Sequence, residues 1–376
     1  MNFSDLPGFV SVLLFLIFSV FLFTLKKGRK RSNYLLGAFF QLSGLQILGF
    51  LIYNYADNRN NILIHFLTIG DSFLLLIGPV FYFYTLSITK PEFKFLKKDL
   101  LHLIPFIIFI IISIIKFHSK TTEVKYELLK THAILGEQLI LYVIGFINVQ
   151  IIIYVSVSLL LLKKYNAELK KYFSSLKKIN LSWLKLFFAG FISVSFLDLL
   201  NFLLNKLSLN PIFSYNSLND VSLILNLMFA SAIIFNGLRN PKVFYGILAE
   251  QEKEKFIESA HEPPTNNFLL EKLLSFMKEK KPFLNSSLTL NELAKISGIP
   301  ARTISQLINE KLNKNFFDFI NEYRIEESIK ILSDKENFRK TIQEILYESG
   351  FNSKSVFNTV FKKFTGKTPT EFRKGS

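Results

Sequence analysis

The sequence predicts an all-α protein in two parts: a polytopic transmembrane helical bundle, followed by a cytoplasmic all-helical domain with two helix-turn-helix units. Three observations carry this expectation. Half of the 376 residues are hydrophobic and only 20% are charged, with 42 Phe, a balance outside the usual soluble range. Long apolar runs fill residues 7 to 238 and then stop. Beyond them, apolar positions recur every three to four residues between polar ones, the pattern of helices with one buried face.

Seven segments have the length and composition of membrane-spanning helices: about 7-25, 34-53, 62-88, 100-117, 138-162, 183-204 and 218-238. The first has no positive stretch before it and no small-residue cleavage site after it, so it reads as a retained span and not a signal peptide. The third is longer than a crossing needs and contains Gly78-Pro79, where a kink or tilt is expected.

Orientation follows from the short connections. Lys26, Lys27, Arg29, Lys30 and Arg31 crowd the first, Lys90, Lys94, Lys97 and Lys98 the third, and Lys163, Lys164, Lys170, Lys171, Lys177 and Lys178 the fifth. The even connections are poorer in Lys and Arg. The positive-inside bias then places the odd loops and the C-terminus in the cytoplasm and the N-terminus outside, as in a multi-pass protein of the cytoplasmic (inner) membrane.

Polar side chains inside apolar spans are costly, which makes them places to look for a signal site. Asp71, Asn148 and Asp198 are the candidates, with Gln150 in the same class and His65, His102, Lys185 and Asp220 nearer the interfaces. The plainer alternative is that each is an interhelical hydrogen-bond partner. Spacing alone does not choose between the two.

After the last span, Val243, Phe244, Ile247 and Leu248 form a stripe on one potential helical face, and Pro263-Pro264 interrupts any continuous rod. The expected division is a membrane domain 1-240, a connector 241-264 and a self-contained domain 265-376. The connector stripe is a candidate for carrying motion or for pairing two protomers. A solvated connector accounts for the same residues.

In the C-terminal domain, Leu269, Leu270, Leu273, Leu274 and Met277 give the first helix its core face. Residues 288 to 309 then read as helix, turn and helix through Leu288-Thr289-Leu290-Asn291-Glu292-Leu293 and Ala301-Arg302-Thr303-Ile304-Ser305-Gln306. A long helix over Phe316 to Leu332 follows. Near the end, Gly350-Phe351-Asn352-Ser353 supplies a sharp turn and two residues able to cap a helix. Val356, Phe357, Val360, Phe361 and Phe364 form the apolar face of that helix, opposite Lys354, Ser355, Asn358, Thr359, Lys362 and Lys363. Thr365-Gly366 is a fitting stop, and Thr368-Pro369 opens a last short helix.

The Gly-Phe-Asn-Ser opening, the Phe-Lys-Lys middle and the Gly-Lys-Thr-Pro exit resemble the second helix-turn-helix of AraC-type (AraC/XylS) transcription regulators, and residues 288 to 309 resemble the first. The resemblance covers roughly 265 to 376. It implies that the second helix of each unit enters the DNA major groove and that the long helix spaces the two for adjacent turns of one DNA face. The base-facing candidates are then Arg302, Ser305 and Gln306 in the first unit and Lys354, Ser355, Asn358 and Thr359 in the second, with Lys362 and Lys363 beside them. Arg302 has the geometry to pair with guanine and Gln306 with adenine, each good pair contributing about 1–3 kcal/mol of discrimination. Contact with phosphate or water is the plainer role for each. Two departures affect register: Pro300 stands where a capping Ser is frequent, as a residue suited to the first helical position, and Asn313 replaces a helix-ending Gly.

The charge of +16 has to be divided before it is used. Residues 1-250 hold 24 Lys and Arg against 12 Asp and Glu, so +12 belongs to the apolar part. The useful excess lies after Phe338, where Arg339, Lys340, Lys354, Lys362, Lys363, Lys367, Arg373 and Lys374 face Glu344, Glu348 and Glu371. The absence of Cys excludes disulfides and cysteine metal sites. No phosphate loop, zinc-protease motif, nucleophile elbow or kinase signature is present, so neither enzyme, cofactor nor metal is expected. The expected function is a membrane-embedded, signal-controlled transcription regulator. Its partners would be double-stranded DNA, the lipid bilayer, a signal or small-molecule ligand, a second copy of the chain and RNA polymerase. The competing reading is a transporter-like or partner-binding membrane protein whose helix-turn-helix domain mediates protein contacts.

Overall fold

The computed structural model describes residues 5–26, 29–56, 62–90, 92–131, 133–176, 181, 183–206, 215–239 and 267–374. It is all-α, with no strand among the described residues and one isolated antiparallel bridge, Phe173 to Thr289. Two compact units divide the chain: residues 1–162 with 181–246, and residues 163–180 with 247–376. The second therefore includes the stretch that the sequence assigns to the fifth connection. The connector 241-264, with its Val243 to Leu248 stripe, lies outside the described residues.

The first unit contains α1 (Leu6–Thr24), α2 (Lys30–Tyr55), α3 (Ile69–Ser72), α4 (Leu74–Thr89), α5 (Ile104–Ser113), α6 (Thr122–Lys130), most of α7 (Glu137–Leu169), α8 (Trp183–Lys206) and α9 (Tyr215–Arg239). Helix α1 packs on α2 and α9, α2 on α4, and α8 on α9. Their shared interior is aromatic. Phe81 stacks on Phe187 at 4.6 Å, and Phe39 and Phe188 close on the same pair at 4.9 Å. Each such ring pair contributes about 0.5–1.5 kcal/mol beyond the area it buries.

Six of the described helical stretches are long and apolar enough to cross a membrane. The remaining segment of the sequence, 183-204, is α8, whose apolar described stretch is Phe187–Leu200. The third segment is interrupted, though not where its proline suggests. The chain breaks at Thr68, which has a left-handed φ of +69°, and again at Phe73, whereas α4 runs on through Pro79. Pro79 leaves the Leu75 carbonyl without its helical donor, and Gln150 of α7 supplies one instead. Backbones meet closely where Gly49 of α2 faces Gly70 of α3: a Cβ built on either would lie 2.5 Å from the other's Cα. Only glycine fits there.

The second unit contains the end of α7 and the residues after it, then α10 (Asn267–Lys280), α11 (Leu290–Ser297), α12 (Ala301–Gln306), α13 (Phe316–Ser333), α14 (Ile342–Glu348), α15 (Lys354–Thr365) and α16 (Pro369–Lys374). Two cores share one helix. Successive residues of α13 point 100° apart, so Phe316, Phe319 and Ile320 enter a first core with Leu273, Met277, Leu293 and Ile304. Phe317, Ile325 and Leu332 enter a second with Ile345, Phe351, Phe357 and Phe361. Fully burying side chains of this size stabilises by about 1.5–3 kcal/mol each.

Candidate nucleic-acid interface

Each helix-turn-helix is fixed by local side-chain chemistry. Thr289 caps α11 in a reciprocal box: its hydroxyl accepts from the Glu292 amide at 3.2 Å and the Glu292 carboxylate accepts from the Thr289 amide at 2.9 Å. Thr341 and Glu344 repeat that arrangement at the start of α14. Gly298 ends α11 with φ +69° and hands the chain to α12. Pro300 is the cap residue of α12, not its first helical residue, and it provides no side-chain acceptor. The helical path continues past Gln306 as a single π turn, Leu307–Lys311, and Asn313 then takes the left-handed conformation at φ +51° that a glycine would otherwise hold.

In the second unit, Gly350 has φ +88°, and a Cβ there would lie 2.5 Å from the Phe283 carbonyl oxygen. A close turn between the two halves of the domain therefore depends on that missing side chain. Ser353 is the cap of α15 and accepts from the Val356 amide, whereas the Asn352 side chain accepts a hydrogen bond from Ser175 at 2.9 Å. Gly366 closes α15 at φ +74°.

The faces these caps orient are polar and open. Arg302 is exposed on α12, with Ser305 and Gln306 half-buried beside it. On α15, Lys354, Ser355, Thr359, Lys362 and Lys363 are exposed and Asn358 is half-buried. Phe357, Val360 and Phe361 are buried on the opposite side. Phe364 departs from the expected apolar face: it is 38% exposed, with the Lys363 ammonium 5.7 Å from its ring centre. It sits on the last turn of α15, one turn beyond the buried Phe361, so the stripe outlasts the core that would cover it.

Some candidate contacts are already engaged within the chain. Lys363 pairs with Asp318 at 2.9 Å, Ser305 accepts from Asn309 at 3.3 Å, and the Thr359 hydroxyl donates to the Ser355 carbonyl at 2.9 Å. The lysine pair is exposed and contributes only about 0–1 kcal/mol, so a phosphate competes for Lys363 at small cost. Among the described residues, Lys354 and Lys362 have no carboxylate within ion-pair distance. Glu344 and Glu371 sit close to the basic patch, and hydrogen bonds from the backbone and hydroxyl of Thr341 and of Thr368 hold their carboxyls below the usual glutamate value.

The other candidate residues converge in the first unit. Asp71, Asn148 and Asp198 line one cavity of about 350 Å³, together with Gln46, Asn219 and Asn226. Ser222 donates to Asp198 at 2.7 Å and Asn226 donates to the Ser222 carbonyl at 3.0 Å. Asn148 donates to the carbonyl of Ile144. Among the described residues no Lys, Arg or His lines the cavity, and the rest of its wall is largely aliphatic and aromatic. Gln150 is not part of it, being committed to Leu75. His102 likewise contacts the Tyr154 hydroxyl. Among the described residues no cluster of His, Asp and Glu has the geometry of a metal site.

One polar cluster was not legible beforehand. Arg324 is 1% exposed in the middle of α13, and all five of its N–H groups find oxygen acceptors. Nε donates to the Phe283 carbonyl at 2.7 Å, Nη1 to the Ser174 carbonyl and Asn321 Oδ1 at 3.1 Å each, and Nη2 to Ser174 Oγ at 3.1 Å and the Asn285 carbonyl at 2.8 Å. Burial lowers its pKa to about 9, which leaves it charged at neutral pH. The visible signal was a lone Arg beside Asn321 on the apolar side of a helix.

Residues 293–375 match the model of the family described as Helix-turn-helix domain. The chain is 29% identical over 128 residues to an uncharacterized HTH-type transcriptional regulator in the cgkA 5' region of Pseudoalteromonas carrageenovora, covering 34% of this chain and 72% of that protein. It is 26% identical over 104 residues to the HTH-type transcriptional regulator GlxA of Rhizobium meliloti, covering 28% of this chain and 31% of the relative. A third relative, the uncharacterized HTH-type transcriptional regulator YdeC of Bacillus subtilis, is 29% identical over 87 residues, 23% of this chain and 29% of that protein. The chain thus spans under a third of the length of the latter two. No solved structure matches the chain.

Proposed function

Because residues 293–375 form a helix-turn-helix domain of the AraC type, we propose that the whole chain is a membrane-embedded transcription regulator that reads specific duplex DNA through α12 and α15. Its role is binding and control, not catalysis. The observation that carries this reading is the pair of recognition helices, α15 capped by Ser353 and α12 entered through Pro300, each presenting amides, hydroxyls and cations outward while its opposite face fills a core.

Membrane embedding is supported by the exterior of the first unit. Leu13, Ile17 and Val20 on α1 are each more than half exposed, and Ile107, Ile111, Ile152 and Met228 continue the pattern on other helices. Water would penalise so much apolar surface, and lipid does not. The second unit supports the topology. Residues 163–176 and the described C-terminal domain belong to one compact unit, which supports a reading with both on one side of a bilayer and an even number of crossings between them. That favours counting α8 as a crossing along with α9, seven in all. Its 24 residues reach about 36 Å at 1.5 Å per residue, longer than a hydrocarbon core of about 30 Å. With the Lys and Arg of the fifth connection, this supports a cytoplasmic DNA-reading domain.

The cavity of Asp71, Asn148 and Asp198 is the proposed point of signal entry. Its two carboxylates, several amides and apolar walls suit a small molecule with an apolar body and a cationic or hydrogen-bond-donating head.

The reading is tested with the full chain in lipid nanodiscs against a random pool of duplexes. It is expected to enrich one sequence and to bind it with steeply falling affinity as salt rises. Failure to retain any duplex at low salt would sink it. Asp71→Asn and Asp198→Asn are expected to change the output of a reporter driven by the enriched sequence without changing duplex affinity. Unchanged output from both would remove the cavity from the proposal.

A further inference from the structure

We propose that residues 163–176, the end of α7 and the stretch that follows it, are an intramolecular clamp of the DNA-reading domain that sets the spacing of its two recognition helices. The proposal rests on the DNA-reading role above and adds the element that controls it.

The clamp reaches the first helix-turn-helix unit and the linking helix α13 through their backbone groups, and the second unit through the side chain of Asn352. A helix begins with amides that have no intrahelical acceptor. The Leu290 amide in the first turn of α11 finds one in the Tyr172 carbonyl at 2.9 Å, and the Phe317 amide in the first turn of α13 finds one in the Lys170 carbonyl at 3.0 Å. Ser174 pairs with the Leu288 carbonyl through both its hydroxyl, at 2.6 Å, and its amide, at 3.3 Å. Its own carbonyl accepts from Arg324 and from Asn321, both on α13. Ser175 then donates to Asn352 at the entrance to α15.

The side chains repeat that division. Tyr172 packs against the first core and Leu176 against the second, with Leu169 and Phe173 buried between them. Arg324 closes the arrangement. It binds the first half through Phe283 and Asn285, the clamp through Ser174, and lies 5.7 Å from the ring of Phe351 in the second half. A segment held at both recognition units and at the helix between them fixes their separation. Because α7 runs unbroken to Leu169, only two residues separate it from Tyr172. A rotation or axial shift of α7 is thereby delivered to the hydrogen bonds that hold α11 and α15.

The absence of native cysteine makes the test direct. In the full chain in nanodiscs, Ser175→Cys with Asn352→Cys is expected to be joined in high yield by a short bismaleimide, and neither single variant is. DNA is then read with the enriched duplex and with the same duplex carrying one extra base pair between its two subsites. The wild-type chain is expected to lose at least tenfold affinity for the lengthened duplex. Leu176→Ala, and replacement of residues 170–176 by a Gly/Ser segment of equal length, are expected to reduce that discrimination to threefold or less. Absence of the crosslink overturns the clamp. So does a crosslinked chain whose Leu176→Ala variant discriminates spacing as the wild type does. Should the wild-type chain bind no duplex at all, the DNA-reading role falls, and the crosslink still reports whether the segment is docked.

Discussion

Gln150 on α7 donates its side-chain amide to the carbonyl oxygen of Leu75 on α4 at 3.0 Å. That carbonyl lies four residues before Pro79, whose ring nitrogen has no hydrogen to give. One helix thus repairs the hydrogen-bond ladder of another. Leaving a buried carbonyl unpaired costs about 1–3 kcal/mol. Gln150→Leu is therefore expected to lower the unfolding midpoint of the first unit in lipid or mild detergent. Pro79→Ala restores a backbone donor to Leu75, so Gln150→Leu should cost distinctly less in that background. Equal costs in both backgrounds would show that the bond contributes nothing through Leu75.

Substitutions on the recognition helices should separate by kind. Arg302→Ala and Asn358→Ala are expected to relax preference at one position each, with a loss of about 1–3 kcal/mol for the favoured base. Lys362→Ala should weaken all duplexes alike and reduce the salt slope by about 1. Lys363→Ala should do less, because Asp318 holds that ammonium in the free protein. Selection from a random pool with each variant reads these differences directly. An unchanged preferred sequence in both Arg302→Ala and Asn358→Ala would mean that α12 and α15 do not read bases.

Compartment-sensitive reporters test the topology. Fusion after Asn61 should report the outside, and fusion after Lys98 the cytoplasm. A further fusion within residues 207–214 should report the outside if α8 crosses. A cytoplasmic signal there would reduce the crossings between residue 163 and the C-terminus to zero.

Acid should loosen the starts of α14 and α16 before the cores. The carboxyls of Glu344 and Glu371 titrate below their usual value of 4.5 when folded, so they stabilise those helix starts above that pH. Their contribution fades as pH falls through the lower folded values. Amide exchange at residues 341–348 and 368–374, corrected for intrinsic rates, should accelerate as pH drops below about 4.5, the reference value. Glu344→Gln and Glu371→Gln keep an acceptor without a titrating charge and should flatten that dependence.

The C-terminal domain was legible because its punctuation is local. Thr289 with Glu292, Ser353 and Gly366 each act within four residues, and each stands where the sequence expects a helix to start or stop. Asp71, Asn148 and Asp198 were legible singly, as polar groups in apolar runs. Their meeting in one cavity depends on how three helices, α3, α7 and α8, pack, which no spacing encodes. The Ser174–Arg324 contact was hidden twice over: its acceptors are largely backbone carbonyls, which every residue carries, and its partners lie 150 positions apart. Phe364 misled for the opposite reason. Helical periodicity marks a direction around an axis, and it carries no information on whether a neighbouring core extends that far.

The clamp also bears on how this domain could separate from the apolar helices. A membrane-held regulator can be liberated by a single proteolytic cut between its anchor and its effector domain. Here the effector unit is assembled from two stretches of chain, and residues 163–176 stay covalently joined to apolar helices on both sides. A cut anywhere from 240 to 266 would leave the C-terminal fragment attached through Ser174, Tyr172 and Leu176. To depart, the fragment must give up those contacts and expose the Arg324 guanidinium. Severing the peptide chain is therefore not equivalent to release, and under the proposed function the regulator would act while still joined to its apolar helices.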